Sequence, residues 1–235
     1  MTYSTSNNIF LLPYGGGSVA SFRSYVAGFP PTHGRVIPVE IPGRGTRSHE
    51  DPAKSIEECA RLLLQKIDTA GAPYILHGHC MGALLALEAI KLLEANGEPL
   101  PLFMVASGRN APRHVNGWLR RVAELDDRGL FQELQDLGGV PAGLSFAMAQ
   151  PFLGAIRHDQ AMFSQYDPGY RKISVPILVL AGRGDKMTTA AALADWSDYT
   201  SKLACLQWLD GEHYFLLQQP QCVAQALQEF RQRAV

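Results

Sequence analysis

Cysteine is scarce. The four residues Cys59, Cys80, Cys205 and Cys222 lie far apart and form no C-x-x-C pair. That spacing fits neither a zinc site nor a disulfide framework. An excess of charge is also missing: 21 Lys and Arg balance 22 Asp and Glu, for a formal charge of −1. A nucleic-acid or anionic-membrane binder normally carries a basic surplus, so neither partner is expected. No apolar run approaches the ~18 residues of a membrane span, and there is no repeat or low-complexity tract. The residues Met1 to Asn8 are polar and uncharged, unlike a signal peptide. What is present is apolar material for a full core, 46% hydrophobic against 18% charged residues over 235 positions. One domain, or one core domain with an inserted cap, is expected. The class expected is a cytoplasmic α/β enzyme acting as a monomer.

Strand and helix signals alternate, which implies a mostly parallel sheet flanked by helices. Apolar runs at Ile9–Leu12, Tyr74–His77, Leu102–Ser107, Ile177–Ala181 and Leu203–Leu209 read as strands. Arg35–Glu40 reads as another, placed at an edge by its internal Pro38. Ser55 with Glu58 forms a capping box that opens a helix through Ile67. Residues 81–95 form an apolar helix stopped by Asn96-Gly97, and Val223–Gln232 a closing amphipathic one. Between Asn110 and Ser174 the pattern is helical, with an N-cap at Asp126 or Asp127. The organisation expected is a core of residues 1–109 and 175–235, with residues 110–174 as a helical cap, or lid, inserted over a site.

Gly78-His79-Cys80-Met81-Gly82 falls between a strand and a long helix, the setting of a G-x-nucleophile-x-G turn. The central residue makes a strained turn, so its neighbours two places away must be small. Its side chain then stands at a helix N-terminus, where free N–H groups and the helix dipole favour negative charge. A thiol so placed is expected to be acidic and partly thiolate. A nucleophile needs a base, and the base an orienting acid. Asp185 follows the strand Ile177–Ala181, and His213 follows the strand ending at Leu209. Both therefore fall at strand carboxyl ends, where open α/β sheets place their sites. Asp210 and Asp195 are the alternative acids. Oxyanion donors are expected from the Met81 N–H and from the glycine-rich loop Pro13-Tyr14-Gly15-Gly16-Gly17.

The chain resembles the type II thioesterases of polyketide and nonribosomal peptide biosynthesis, within the α/β-hydrolase fold. The resemblance rests on Leu12-Pro13-Tyr14-Gly15-Gly16-Gly17-Ser18, Pro42-Gly43-Arg44-Gly45, Gly78-His79-Cys80-Met81-Gly82, Leu137-Gly138-Gly139-Val140-Pro141 and Gly211-Glu212-His213-Tyr214-Phe215. It implies a Cys80–His213–Asp185 triad, with Cys in the position the family usually gives to Ser. It also implies Gly15 and Met81 as oxyanion donors, and substrate contacts from Tyr14, Gly16, Phe152 and Tyr166. The activity implied is hydrolysis of acyl or aminoacyl thioesters on the phosphopantetheine arm of an acyl or peptidyl carrier protein. No metal or organic cofactor is called for. Cys instead of Ser leaves the acyl group at thioester energy, so transfer between carrier thiols is the alternative. Rival readings are a carrier-binding module without catalysis and a small-molecule Cys hydrolase. A serine deliberately replaced by cysteine would leave the same sequence.

Of the remaining residues, His77 and His79 are expected to make local hydrogen bonds that shape the nucleophile turn. His158-Asp159 reads as a polar pair on a helix face or as part of a substrate channel. Arg44 and Arg47 read either as carrier-protein contacts or as loop anchors. Phe146, Met148, Phe152, Met162, Phe163 and Tyr166 are expected mainly to pack the cap, with some lining an acyl pocket. Cys59, Cys205 and Cys222 read as buried or half-buried thiols.

Overall fold

A computed structural model describes residues 7–114, 117–141 and 143–234. Its elements in chain order are β1 (Asn8–Leu12), α1 (Arg23–Gly28), β2 (Arg35–Pro38), α2 (Ile56–Leu64), β3 (Tyr74–His79), α3 (Met81–Asn96) and β4 (Met104–Ser107). Then follow α4 (Gly117–Ala123), α5 (Asp127–Asp136), α6 (Phe146–Ser164), β5 (Ile177–Gly182), α7 (Ala190–Ala194), β6 (Ala204–Leu209), α8 (Phe215–Gln218) and α9 (Pro220–Ala234). Among the described residues the sheet has six strands in the order β2-β1-β3-β4-β5-β6, and every pairing is parallel. The chain moves outward from β1 to β2, then crosses back to β3. The crevice where the winding reverses lies between β1 and β3, and the loops leaving those strands carry Gly15 and Cys80. Open α/β sheets bind ligands at such a reversal.

Alternation along each strand divides the core between two faces. In β5, Ile177, Val179 and Ala181 point to the layer containing α2 and α3. Leu178 and Leu180 point to the layer containing α1 and α9. Helix α3 sits over the centre of the sheet and is buried on nearly all sides. It ends at Gly97, whose positive φ of 67° closes the last turn. Strand β2 stops at Pro38, two residues short of the expectation, and lies at the sheet edge, where a residue with no N–H costs no ladder bond. At α2 only half of the capping box forms. Ser55 Oγ accepts the Glu58 N–H, whereas the Glu58 carboxylate takes the Lys54 N–H.

Helices α4, α5 and α6 lie between β4 and β5 in the chain and hold a small core of their own around Val122, Leu130, Leu134 and Leu153. Asp126 caps α5 by accepting the Gly129 N–H at 2.8 Å. The inward face of α6 runs through Ala149, Leu153, Ile156, Asp159 and Gln160 to Phe163. Met148 and Phe152 fall on the opposite side, 59% and 63% exposed.

The turn at Cys80 depends on close backbone approach. A methyl group on Gly82 would overlap the Leu12 carbonyl, and one on Gly78 would overlap the Gly82 carbonyl. Backbone on both sides leaves nothing flexible to yield. Gly82→Ala is expected to lower stability by about 3 kcal/mol through overpacking, measured as a shift in the urea midpoint. An unchanged midpoint would show that the turn does not need this contact.

Candidate active site

Cys80 is the N-cap of α3 and adopts φ 51°, ψ −106°. Among the described residues no other non-glycine has positive φ. Such a conformation costs on the order of 1–3 kcal/mol and persists only where its surroundings enforce it. Here the Cys80 N–H donates to Ser107 O at 2.8 Å, and Cys80 O accepts the Ala83 N–H. The Sγ is thereby lifted above the sheet at the N-terminus of a long helix.

His213 is 2% exposed and donates through Nδ1 to Asp185 Oδ2 at 3.0 Å. Asp185 is fixed in turn by the Met187 N–H, 2.8 Å from Oδ1. With Nδ1 committed to the carboxylate, Nε2 is the imidazole nitrogen left for the sulfur, and Cys80 and His213 are hydrogen-bonded. Burial alone would push the Cys80 thiol up. The bond to His213, its charge and the charge of Arg109 outweigh burial and leave the thiol below its ordinary value. Burial would likewise lower His213, but the bonds to Asp185 and Cys80 raise it above its ordinary value. Both shifts run in the direction of a thiolate beside an imidazolium. The alternative acids are engaged elsewhere: Asp195 pairs with Arg113 and His114, and Asp210 with Arg183.

Beneath the turn, Ser107 Oγ lies 2.9 Å from His77 Nε2 and 3.0 Å from His79 Nδ1, and it donates to Gly78 O. Burial lowers His77 to about 3 and His79 well below its ordinary value. Both shifts favour the neutral imidazole.

The glycine-rich loop after β1 is fixed by its hydrogen bonds. The Gly16 N–H donates to Asp159 Oδ2 at 2.7 Å, and the Gly17 N–H to Tyr14 O at 2.8 Å. Among the described residues the Gly15 and Met81 N–H groups have no acceptor. Gly15 lies on the loop leaving β1 and lines the cavity that Cys80 opens on, and Met81 directly follows Cys80 at the start of α3.

Cys80 and His213 open on a cavity of about 30 Å³, room for one or two waters. Tyr14, Gly15, Arg109, Met187 and Tyr214 line its core side. Trp118, Leu119, Leu134, Leu137, Ile156, Gln160 and Phe163 descend from the cap. Of the expected substrate contacts, the wall includes Tyr14 and leaves out Gly16, Phe152 and Tyr166. The Gly16 N–H is spent on Asp159, Phe152 faces outward, and the Tyr166 hydroxyl donates to Glu88 at 2.6 Å. Arg109 and Gln160 reach the site unforeseen, and Phe163 is one of the cap aromatics from which pocket lining was expected.

A family model for the thioesterase domain matches residues 7–231. The chain belongs to the thioesterase family. The probable cadicidin biosynthesis thioesterase of Streptomyces griseus is 31% identical over 210 residues, 88% of this chain. The chain spans 57% of the length of that relative. The RedJ thioesterase from the prodiginine pathway of Streptomyces coelicolor superposes with a TM-score of 0.82 at 29% identity, covering 96% of this chain and 89% of that one. YbtT, a type II thioesterase from the yersiniabactin pathway, superposes with a TM-score of 0.84 at 26% identity, covering 100% and 96%. The fold of this thioesterase is thus the α/β-hydrolase fold of its relatives.

Several polar residues of the thioesterase hold positions that correct their sequence readings or decide between two of them. Asp159 is neither a surface pair with His158 nor a channel group. It is fully buried and receives Arg44 Nη1 at 2.9 Å and Nη2 at 2.6 Å. Arg44 is therefore an anchor between cap and core, and Arg47 pairs with Glu50. His158 Nε2 donates to Ala53 O. Cys222 is exposed, because it falls on the solvent side of α9.

The thiolate makes a direct prediction. A free cysteine ionises near pH ~8.5. The depressed Cys80 value means that thiolate persists as pH falls below that point. Alkylation of Cys80 by iodoacetamide is expected to stay fast at pH 7, and His213→Gln to shift the profile toward higher pH. Identical profiles for the two proteins would disprove the ion pair.

Proposed function

We propose that this thioesterase releases acyl or aminoacyl groups from the phosphopantetheine arm of carrier proteins in polyketide or nonribosomal peptide biosynthesis. The observation that carries the reading is the line Asp185–His213–Cys80 beneath an apolar cavity, in a chain whose relatives are named for such pathways. The Cys80 thiolate attacks the thioester carbonyl. The oxygen that becomes negative is held by the Gly15 and Met81 N–H groups. As the intermediate collapses, the bond to the pantetheine sulfur breaks and the His213 proton leaves with that sulfur. Neutral His213, oriented by Asp185, then takes a proton from water. The resulting hydroxide attacks acyl-Cys80, the bond to Sγ breaks, and the free acid departs from a restored thiolate–imidazolium pair.

Transfer to a second carrier thiol is the other reading, and the sulfur of Cys80 favours it. Moving an acyl group from thioester to thioester is close to thermoneutral, so acyl-Cys80 keeps the potential to acylate another thiol. The deciding experiment offers the protein a labelled acyl-carrier protein, with and without an unloaded second carrier. Free acid in both reactions supports hydrolysis. Label on the second carrier supports transfer. No release in either reaction would overturn both readings.

A further inference from the structure

Arg109 lies two residues past the end of β4, and its backbone is held by the Trp196 Nε1–H, which donates to Arg109 O at 2.8 Å. The side chain turns into the cavity with Cys80 and is 7% exposed. Its guanidinium carbon lies 5.4 Å from the centre of the Phe163 ring. Nε and Nη1 are buried without an acceptor. Among the described residues no Asp or Glu stands in the cavity wall. Asp159, the nearest carboxylate on α6, is already bound by Arg44 and the Gly16 N–H. A guanidinium stays charged, and a buried charge left without a partner is costly.

A second unpartnered polar atom belongs to the same wall. Gln160 Nε2 on α6 is buried with no acceptor. Two groups of donors therefore border one apolar cavity; Arg109 shares a hydrogen bond with Cys80, whereas its Nε and Nη1, like Gln160 Nε2, have no acceptor among the described residues. The group beside Arg109 in the resting protein is the Cys80 sulfur, whose ionised form the guanidinium favours. Acylation removes that partner. A neutral acyl chain would then leave the guanidinium facing Leu134, Ile156 and Phe163, whereas an acyl group bearing its own carboxylate would supply the missing partner.

We propose that Arg109, assisted by Gln160, binds a carboxylate on the acyl group, so that the favoured substrates are half-thioesters of short dicarboxylic acids. The proposal rests on the thioester reading above. The chemistry is unchanged: Sγ displaces the carrier thiol, which leaves with the His213 proton, and the distal carboxylate takes no part in bond breaking.

Two measurements separate the anion site from the thioester reading. The first needs no thioester. Cys80 is alkylated with iodoacetate and with iodoacetamide and followed at its own peptide by mass spectrometry, with glutathione as reference. The iodoacetate-to-iodoacetamide rate ratio is expected to exceed that of glutathione by about tenfold, the size of one charge-assisted hydrogen bond. In Arg109→Met it is expected to fall to the glutathione value. Gln160→Leu, which keeps the cation, gives a partial fall and serves if Arg109→Met does not fold. Equal ratios in folded wild type and Arg109→Met would overturn the anion site. The second measurement compares kcat/KM for succinyl-pantetheine and its neutral succinamyl isostere. A preference of about tenfold for succinyl, lost in Arg109→Met, supports the proposal. An equal fall on both substrates would overturn it and leave Arg109 acting on the thiolate alone. A raised alkylation ratio with no thioester cleaved would keep the anion site and overturn the thioester reading.

Discussion

Cys80→Ala is expected to reduce kcat/KM for acyl release from a carrier arm by about 10³-fold or more, the loss that follows removal of a member of a nucleophile–base–acid unit. The residue has no substitute nearby. Cys59 lies on the buried face of α2, where burial pushes its thiol up to about 12. The hydroxyl of Ser107 is committed to two histidines and a carbonyl below the turn. His213→Ala is expected to cost as much, because the thiolate loses its hydrogen bond and the leaving thiol its proton donor. Cys80→Ser gives a sharper result. A serine ester lies below a thioester in energy, so water can still release the acid while return to a thiol becomes uphill. The variant is expected to hydrolyse and to place no label on a second carrier. Assays with the loaded carrier check all three, and near wild-type turnover by Cys80→Ala would remove the mechanism.

Asp159→Ala is expected to lower stability by about 3–5 kcal/mol and kcat by about 10²-fold. The first effect comes from Arg44, whose side chain is 10% exposed and would be left as an unpaired buried cation. The second comes from the freed Gly16 N–H, since the oxyanion loop loses the bond that holds Gly15 in place. The two effects are separable. Arg44→Met with Asp159→Leu is expected to regain much of the stability, because an apolar pair can replace a buried ion pair, while kcat stays low. Asp159→Asn keeps an acceptor for Gly16 and is expected to regain rate before stability. Urea unfolding and steady-state turnover measure the two. A double variant with full activity would show that the loop does not depend on Asp159.

What the sequence disclosed was local in origin. The nucleophile turn announces itself because Gly78 and Gly82 must lie two places either side of Cys80, whatever the rest of the chain does. The strands announce themselves by apolar runs, and the edge position of β2 by the missing N–H of Pro38. The order of Asp185 and His213 follows from which strands precede them. What escaped was made by contacts distant in the chain. Arg44 and Asp159 are 115 residues apart, and nothing in either neighbourhood indicates the other. Arg109 is one arginine after a strand, and only Phe163 and the cap make it a buried one. The aromatic spacing in α6 was visible, but not its phase. A helix with apolar residues on several faces does not declare which face turns down, and Phe163 took that side instead of Phe152.

The cavity beneath the cap has room for one or two waters, far less than an acyl group on its pantetheine tether. For the proposed substrate, a parting of α4, α5 and α6 from the core is therefore expected to precede any contact between sulfur and carbonyl. The rate of such a parting would belong to the protein and not to the cargo. Saturating turnover across a homologous series of cargoes is then expected to level off at one shared ceiling, with discrimination carried by how readily each is captured once the door stands open.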